Sequence, residues 1–237
     1  MYSVSNWMVY GSVLTACLVA AGPASTATKS ASVAQAPQSG APQRIDLAEQ
    51  LAAGKLRAVN RDVTKLQGSR DGVHLSDKAA PGVAWIEGSD FTDGTIDVDV
   101  RGRDVLQRSF VGVAFHRKDD ATYEAVYLRP FNFRADDPVR HRHAVQYMAS
   151  PDYDWPRLRQ EFPDEFERSV DPSIVPTDWV PLRVVVKGGA IQVFVGPAKS
   201  PTLEARKLGQ SDRGLIGLWT GNTSDGDFAN LRVTPAK

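Results

Sequence analysis

The chain has 237 residues, with 28 basic and 28 acidic side chains and a formal charge of zero. That balance removes the simplest electrostatic reason to expect a nucleic-acid or polybasic membrane partner. Hydrophobic residues at 42% and charged residues at 24% exclude a disordered or collagen-like chain and give enough apolar material for a packed core.

The charges are unevenly placed: the first is Lys29 and the first acidic one is Asp46. The apolar run from Trp7 to Ala21 is too short for a comfortable membrane span and suits a signal-peptide core. Residues 1–27 therefore read as a signal peptide or a lipoprotein leader. Leu14-Thr15-Ala16-Cys17 has the form of a lipoprotein cleavage box, which would make Cys17 a lipidated first residue. Against it, Leu18-Val19-Ala20-Ala21 continues the apolar core, and the small residues from Gly22 to Ala27 offer an ordinary cleavage point. An uncleaved anchor is the third reading, and no transmembrane segment is expected beyond this leader. The product is expected to be secreted or periplasmic. Cys17 is the sole cysteine, so no disulfide is expected.

Residues 28–44, rich in Ala, Ser, Gln and Pro, read as a disordered linker because they cannot bury enough surface to offset their ordering entropy. Residues 45–237 read as a single domain. Apolar spacing over Ile45–Val59 predicts a short helix or turn leading into it. Beyond that, β-branched and aromatic runs punctuated by Gly, Pro, Asp and Asn predict strands at 72–75, 83–87, 94–101, 109–117, 123–130, 143–148, 180–187, 190–195, 203–205, 214–220 and 227–233. Their number and spacing predict an all-β, two-sheet antiparallel sandwich. Alternation puts Ile96, Val98 and Val100 on one face and Asp97 and Asp99 on the other. The same reasoning sets Val111, Val113 and Phe115 against His116. Gly188-Gly189 supplies the positive φ angles of a tight hairpin between 180–187 and 190–195. The long insertion from Ser150 to Asp178 carries Tyr153, Trp155, Phe162 and Phe166, with a short helix predicted between Pro156 and Pro163.

The densest mixture of aromatic and hydrogen-bonding side chains runs from His116 to Trp155. In 123–130, Tyr123, Tyr127 and Arg129 share one strand face while Glu124, Val126 and Leu128 share the other. Tyrosine and arginine on one face suit a saccharide: flat apolar surfaces for sugar C–H groups and fixed donors for hydroxyls. The bland alternative is cross-strand pairing on a solvated face. Tyr127, Tyr147, Trp155 and Trp219 are the candidate stacking surfaces, and Arg129, Asn132, His143, Gln146 and Asn222 the candidate polar contacts. His116, Glu124 and His143 are the candidate acid/base groups. Asp97 and Asp99 lie at a separation relevant to glycoside hydrolysis, yet alternating aspartates on an open strand face are usually solvated. His141 and His143 lack a third metal ligand. The oxygen-rich Asn222–Asp227 segment has the look of a calcium loop without the EF-hand pattern, so a structural calcium stands beside a simple Asx turn. No serine-nucleophile elbow and no phosphate-cradling glycine loop is present, so no cofactor is expected.

The stretches FTDGTIDVDVRG, SFVGVAFHRKDDATYEAVYLRPFNF, HAVQYM, GLIGLW and FANL together resemble the concanavalin A-like lectin/glucanase superfamily. In particular the chain is similar to bacterial 3-keto-disaccharide hydrolase-like domains, also described as family-16 glycoside hydrolase-like or laminin-G-like. The resemblance covers about Leu66 to Val233 and implies a jelly roll whose concave face and rim loops meet carbohydrate. It directs attention to Tyr127, Arg129, Asn132, Gln146, Tyr147, Trp219 and Asn222. The E-x-D-x-x-E strand of true family-16 glucanases is absent, which leaves glucanase chemistry in doubt. The expectation is a secreted or envelope-associated saccharide-binding domain, with hydrolase activity as an option. A structural or protein-interaction module of the envelope is the alternative.

Overall fold

A computed structural model describes residues 40–236 apart from Ser69. The expected leader, Cys17 and residues 28–39 of the expected linker lie outside the described residues, while Gln43–Arg44, expected to be disordered, are held as a short strand by pairing with Val233 and Arg232.

Among the described residues fifteen strands follow one another in the order β1 (Gln43–Arg44), β2 (Leu56–Val59), β3 (Val63–Lys65), β4 (Gly72–Leu75), β5 (Gly82–Ile86), β6 (Gly94–Arg101), β7 (Val111–Arg117) and β8 (Tyr123–Leu128), then β9 (Val145–Ser150), β10 (Glu167–Arg168), β11 (Val180–Lys187), β12 (Ala190–Val195), β13 (Leu203–Arg206), β14 (Leu215–Thr220) and β15 (Gly226–Pro235). They form two antiparallel sheets. Sheet A runs β13-β12-β11-β6-β15-β4-β3, with β1 also on β15; sheet B runs β10-β9-β8-β7-β14-β5-β2. The helices are α1 (Leu47–Ala52), α2 (Pro138–Arg142) and α3 (Trp155–Glu161).

The alternation predicted for β6 is the one observed: Ile96, Val98 and Val100 are buried between the sheets while Asp97 and Asp99 face outward. From the other sheet, Val111, Val113, Phe115, Val126, Leu128 and Leu218 join the same core. Gly188 and Gly189, at φ of 55° and 82°, close the predicted hairpin with Lys187 opposite Ala190. α3 forms as predicted, opened by the Asp154 side chain capping the Arg157 N–H and by Pro156 in its first turn.

Three local readings change. The short helix or turn expected within 45–59 is α1, which stops at Ala52 before Gly54 turns the chain at φ 68°, and Leu56–Val59, expected in the same segment, pairs with β5 as a strand. The strand expected from His143 begins only at Val145, since Asp137 caps and Pro138 opens α2 and His143 becomes its C-cap. The parity of β7 breaks at its end. Between β7 and β14 the register slips by one residue, and His116, at φ 52°, is turned inward beside Phe115 instead of opposite it.

Candidate functional site

Sheet B is buried on both faces where β7, β8 and β9 meet, and its outer face carries the predicted residues. Gly112 on β7 sits between Tyr127 on β8 and Trp219 on β14. A Cβ there would come within 2.9 Å of Tyr127 Cβ and closer still to the β8 backbone. The space lets the two rings approach to 4.7 Å between centroids, tilted at 32°. Trp85 lies further along the same face, opposite Gly217, whose own Cβ would meet the indole at 2.7 Å. Glycines at these points allow large rings to lie flat on the sheet.

Arg129 extends this face beyond the end of β8. Its guanidinium lies 4.9 Å from the Tyr127 ring centre, donates to the Tyr127 hydroxyl at 2.9 Å and to Gln146 Oε1, and meets Glu167 at 2.8 Å. Tyr127 donates to Gln146 Oε1 at 2.7 Å. Glu167 on β10 also receives Arg159 from α3 at 2.7 Å, and His143 Nε2 lies 3.3 Å from it. Arg159 in turn stacks on Trp155 at 4.8 Å. Asn132 donates to the His143 carbonyl at 3.1 Å. Tyr127, Arg129, Asn132, His143, Gln146, Trp155 and Trp219 are thus drawn into one connected patch, with Glu167 and Arg159 as the residues that sequence reasoning missed. Nothing in the sequence marks them: both depend on the insertion folding back onto the β9 edge.

Burial divides this patch. Tyr127, Arg129, Gln146, Glu167 and Trp219 are at most 5% exposed, so they form a closed floor. Trp155 is 48% exposed, Arg159 half-buried and His143 partly accessible. Desolvation pushes the Tyr127 hydroxyl up to about 12, so it is a neutral donor. Desolvation also lowers His143, against the opposing pull of Glu167. Two buried polar atoms in the patch, Gln146 Nε2 and Asn132 Oδ1, have no partner among the described residues.

Four expected residues lie elsewhere, three of them between the sheets. Tyr147 alternates with Gln146 and so points between the sheets, where its hydroxyl donates to Glu124 and accepts from the Leu208 N–H at 2.8 Å. It offers no stacking face to a ligand. His116 and Glu124 are also internal, each 1% exposed: His116 Nδ1 is 2.8 Å from Glu124 Oε1 and its Nε2 donates to the Thr92 carbonyl at 3.0 Å. Lys207 Nζ approaches Glu124 at 3.5 Å, and burial with the Glu124 charge raises the Tyr147 hydroxyl strongly. The cavity beside this cluster, about 40 Å³, holds a few waters at most and is far below the size of a saccharide pocket.

Asn222 is exposed and its Oδ1 accepts the Ala80 N–H at 2.7 Å, fixing a loop. Around it, Asp225 pairs with Arg103 and Asp227 with Arg101 and His74, while Ser224 accepts the Phe110 N–H. Asp227 and the Ser224 hydroxyl are engaged by these protein donors, whereas Asp225 Oδ1 faces Arg103 without a hydrogen bond among the described residues. Among the described residues no group of three metal-ligating side chains occurs. None of their helices is long and apolar enough to cross a membrane.

No family model matches the chain, and no curated protein matches it. Solved structures do. A carbohydrate-binding module, CBM66, from Bacillus subtilis superposes with a TM-score of 0.52 at 12% identity, over 75% of this chain and 93% of that one. A Bacillus subtilis protein of unknown function with a galectin-like fold gives 0.56 at 15% identity, over 83% and 97%. The calcium-bound exoplasmic/lumenal domain of VIP36 gives 0.51 at 11% identity, over 75% and 83%. At such identities the likeness is one of fold. That fold is an all-β sandwich of two antiparallel sheets.

Proposed function

We propose that this chain is a secreted or envelope-associated saccharide-binding domain whose contact surface is the α3–β10 edge of sheet B. The observation that carries the reading is the position of Trp155. Its exposed ring is braced by Arg159, whose fork ends on Glu167, the same carboxylate that holds Arg129 and faces His143. An exposed aromatic face beside a rigid row of donors and acceptors suits the apolar and hydroxyl surfaces of a sugar. The buried Tyr127–Trp219 floor holds that edge in place rather than touching the ligand. CBM66, whose fold this chain shares, is a carbohydrate-binding module, in keeping with the reading.

Binding is favoured over hydrolysis. Of the three acid/base candidates, His116 and Glu124 are sealed between the sheets, where the pair spends its polar atoms on Thr92, Tyr147 and Lys207, and His143 at the open edge faces a Glu167 already held by Arg129 and Arg159. Residues 1–27 complete the proposal as the export leader.

A glycan array, run alongside a hydrolysis assay on plain and 3-keto disaccharides, tests it. Binding without turnover, abolished by Trp155→Ala, is the expected result. Turnover would replace the reading with a hydrolase, and silence in both assays with an interaction module.

A further inference from the structure

The outer face of sheet A carries a second, open feature that the first site does not use. Cross-strand register places Arg232, Asp97, Arg183 and Phe194 side by side on β15, β6, β11 and β12. Arg44 on β1 stands opposite Arg232 at the end of the same row. Residues directly opposed on antiparallel strands share a face, and like charges in such positions repel. Three arginines here flank a single aspartate.

The hydrogen bonds leave much of this cationic capacity unspent. Among the described residues Asp97 takes only the Arg183 Nε, at 2.6 Å, and neither terminal nitrogen of that guanidinium has a hydrogen-bond partner, while its side chain is 57% exposed. Arg232 makes no side-chain hydrogen bond or ion pair among the described residues. Its position is set by a bulge in β15 between Ala229 and Arg232, which buries Leu231 and turns Asn230 and Arg232 outward. Asn230, at φ 55°, donates to Asp99, and Asp99 is paired with Arg70, so that neighbouring carboxylate is already neutralised.

The row lies in a groove. A cavity of about 290 Å³ is lined by Asp97, Arg183, Phe194, Asn230 and Arg232. A second of about 380 Å³ shares Asp97, Arg183, Phe194 and Arg232 with it, and a third of about 400 Å³ continues past Pro181 and Gly196 to Trp179. Trp179 is clasped between Arg70 and Arg101, at 4.7 and 4.8 Å. The half-buried Phe194 ring gives the groove an apolar patch beside the unspent forks.

We infer that this groove on sheet A binds an acidic oligosaccharide, with the Arg183 and Arg232 guanidiniums gripping a carboxylate or sulfate and Phe194 meeting the sugar ring. Guanidinium forks match both anions bidentately, whereas a neutral sugar would leave them unpaired. The inference takes from the proposed function only that the ligand is a saccharide; the face and the residues differ.

Calorimetric titration of the protein with a tetragalacturonate, a heparin-derived tetrasaccharide and a neutral tetrasaccharide tests it, using wild type, Arg183→Gln/Arg232→Gln and Trp155→Ala. Affinity for one or both acidic probes should fall at least about tenfold in the double variant, the scale of a lost charge-assisted fork, and be unchanged in Trp155→Ala. It should also weaken with salt in wild type. Whichever acidic probe binds identifies the anion. Both arginines are exposed, and an unchanged unfolding midpoint certifies the double variant as folded. Failure of both acidic probes, or acidic binding lost in Trp155→Ala and kept in the double variant, overturns the inference. Neutral binding lost only in Trp155→Ala would leave the first site standing when the second falls.

Discussion

The ring of Tyr127 rests 4.7 Å from that of Trp219, and what lets them meet is the missing side chain of Gly112 between them. Gly112→Ala should therefore disturb both rings and the β7–β8 backbone. The expected cost is about 1–3 kcal/mol, the range of an overpacked core. Thermal unfolding measures it, and an unchanged midpoint would mean that the sheet yields without strain.

The two tryptophans of the patch should separate cleanly. Trp219→Ala removes a 4%-exposed ring from the floor and should cost about 3–5 kcal/mol. Trp155→Ala should alter stability by no more than about 0.5 kcal/mol, as surface changes do, while removing saccharide binding. Paired unfolding and binding measurements check the contrast; a large loss of stability in Trp155→Ala would recast that ring as a structural pin.

Glu124 is expected to act in stability. Its replacement by Ala strands His116 and Tyr147 between the sheets, and breaking a buried pair of this kind costs about 3–5 kcal/mol. Chemical denaturation of Glu124→Ala gives the number. A variant that unfolded at the wild-type midpoint would show the cluster to be dispensable for the fold.

His143 gives a pH dependence with a definite sign. Burial holds its folded pKa below the ordinary 6.5, so folding favours the neutral ring. Its contribution is complete above 6.5 and is lost as the pH falls through the folded value. NMR titration of the imidazole should place its midpoint below 6.5. In His143→Gln, the part of the stability change over that acid window that belongs to this ring should vanish. A midpoint above 6.5 would mean that the Glu167 charge outweighs desolvation.

A fifth expectation concerns acid stability at the surface. Hydrogen bonds from Arg57, and then Arg117, hold the Asp120 carboxyl at about 2. Its folded value lies below the unfolded one, so its contribution is present above 3.8 and fades as the pH falls toward 2. Asp120→Asn should narrow the stability difference between pH 4 and pH 2, by a small amount because the pair is solvent-screened. Denaturation midpoints at those two pH values decide it.

Much of this architecture was legible in the chain. Period-two alternation in residues 94–101 and 123–128 assigned the faces, since successive strand side chains must point to opposite sides. Gly188-Gly189 announced its hairpin through backbone freedom alone. Alternation also placed Tyr127 with Arg129, and Glu124 opposite them.

The reading failed where a local rule yields to a distant partner. No periodicity reveals the register slip that turns His116 inward to Glu124, because the extra residue is defined by pairing with β14, a hundred positions away. The strand character of β2, beyond the interruption at Gly54, shows only where β5 offers it an edge. Glu167 and Arg159 entered the candidate site only when the 150–178 insertion folded back on β9.

The sequence by itself determined the class of fold and which residue types gather on each face, because those follow from short-range geometry and hydrophobic alternation. Tertiary structure alone decided accessibility: Tyr127, Arg129 and Trp219 gather on one face of sheet B but are closed over, whereas Trp155 stays open and Arg183 of sheet A is largely exposed. Burial depends on what the rest of the chain lays across a face, and no local pattern carries that.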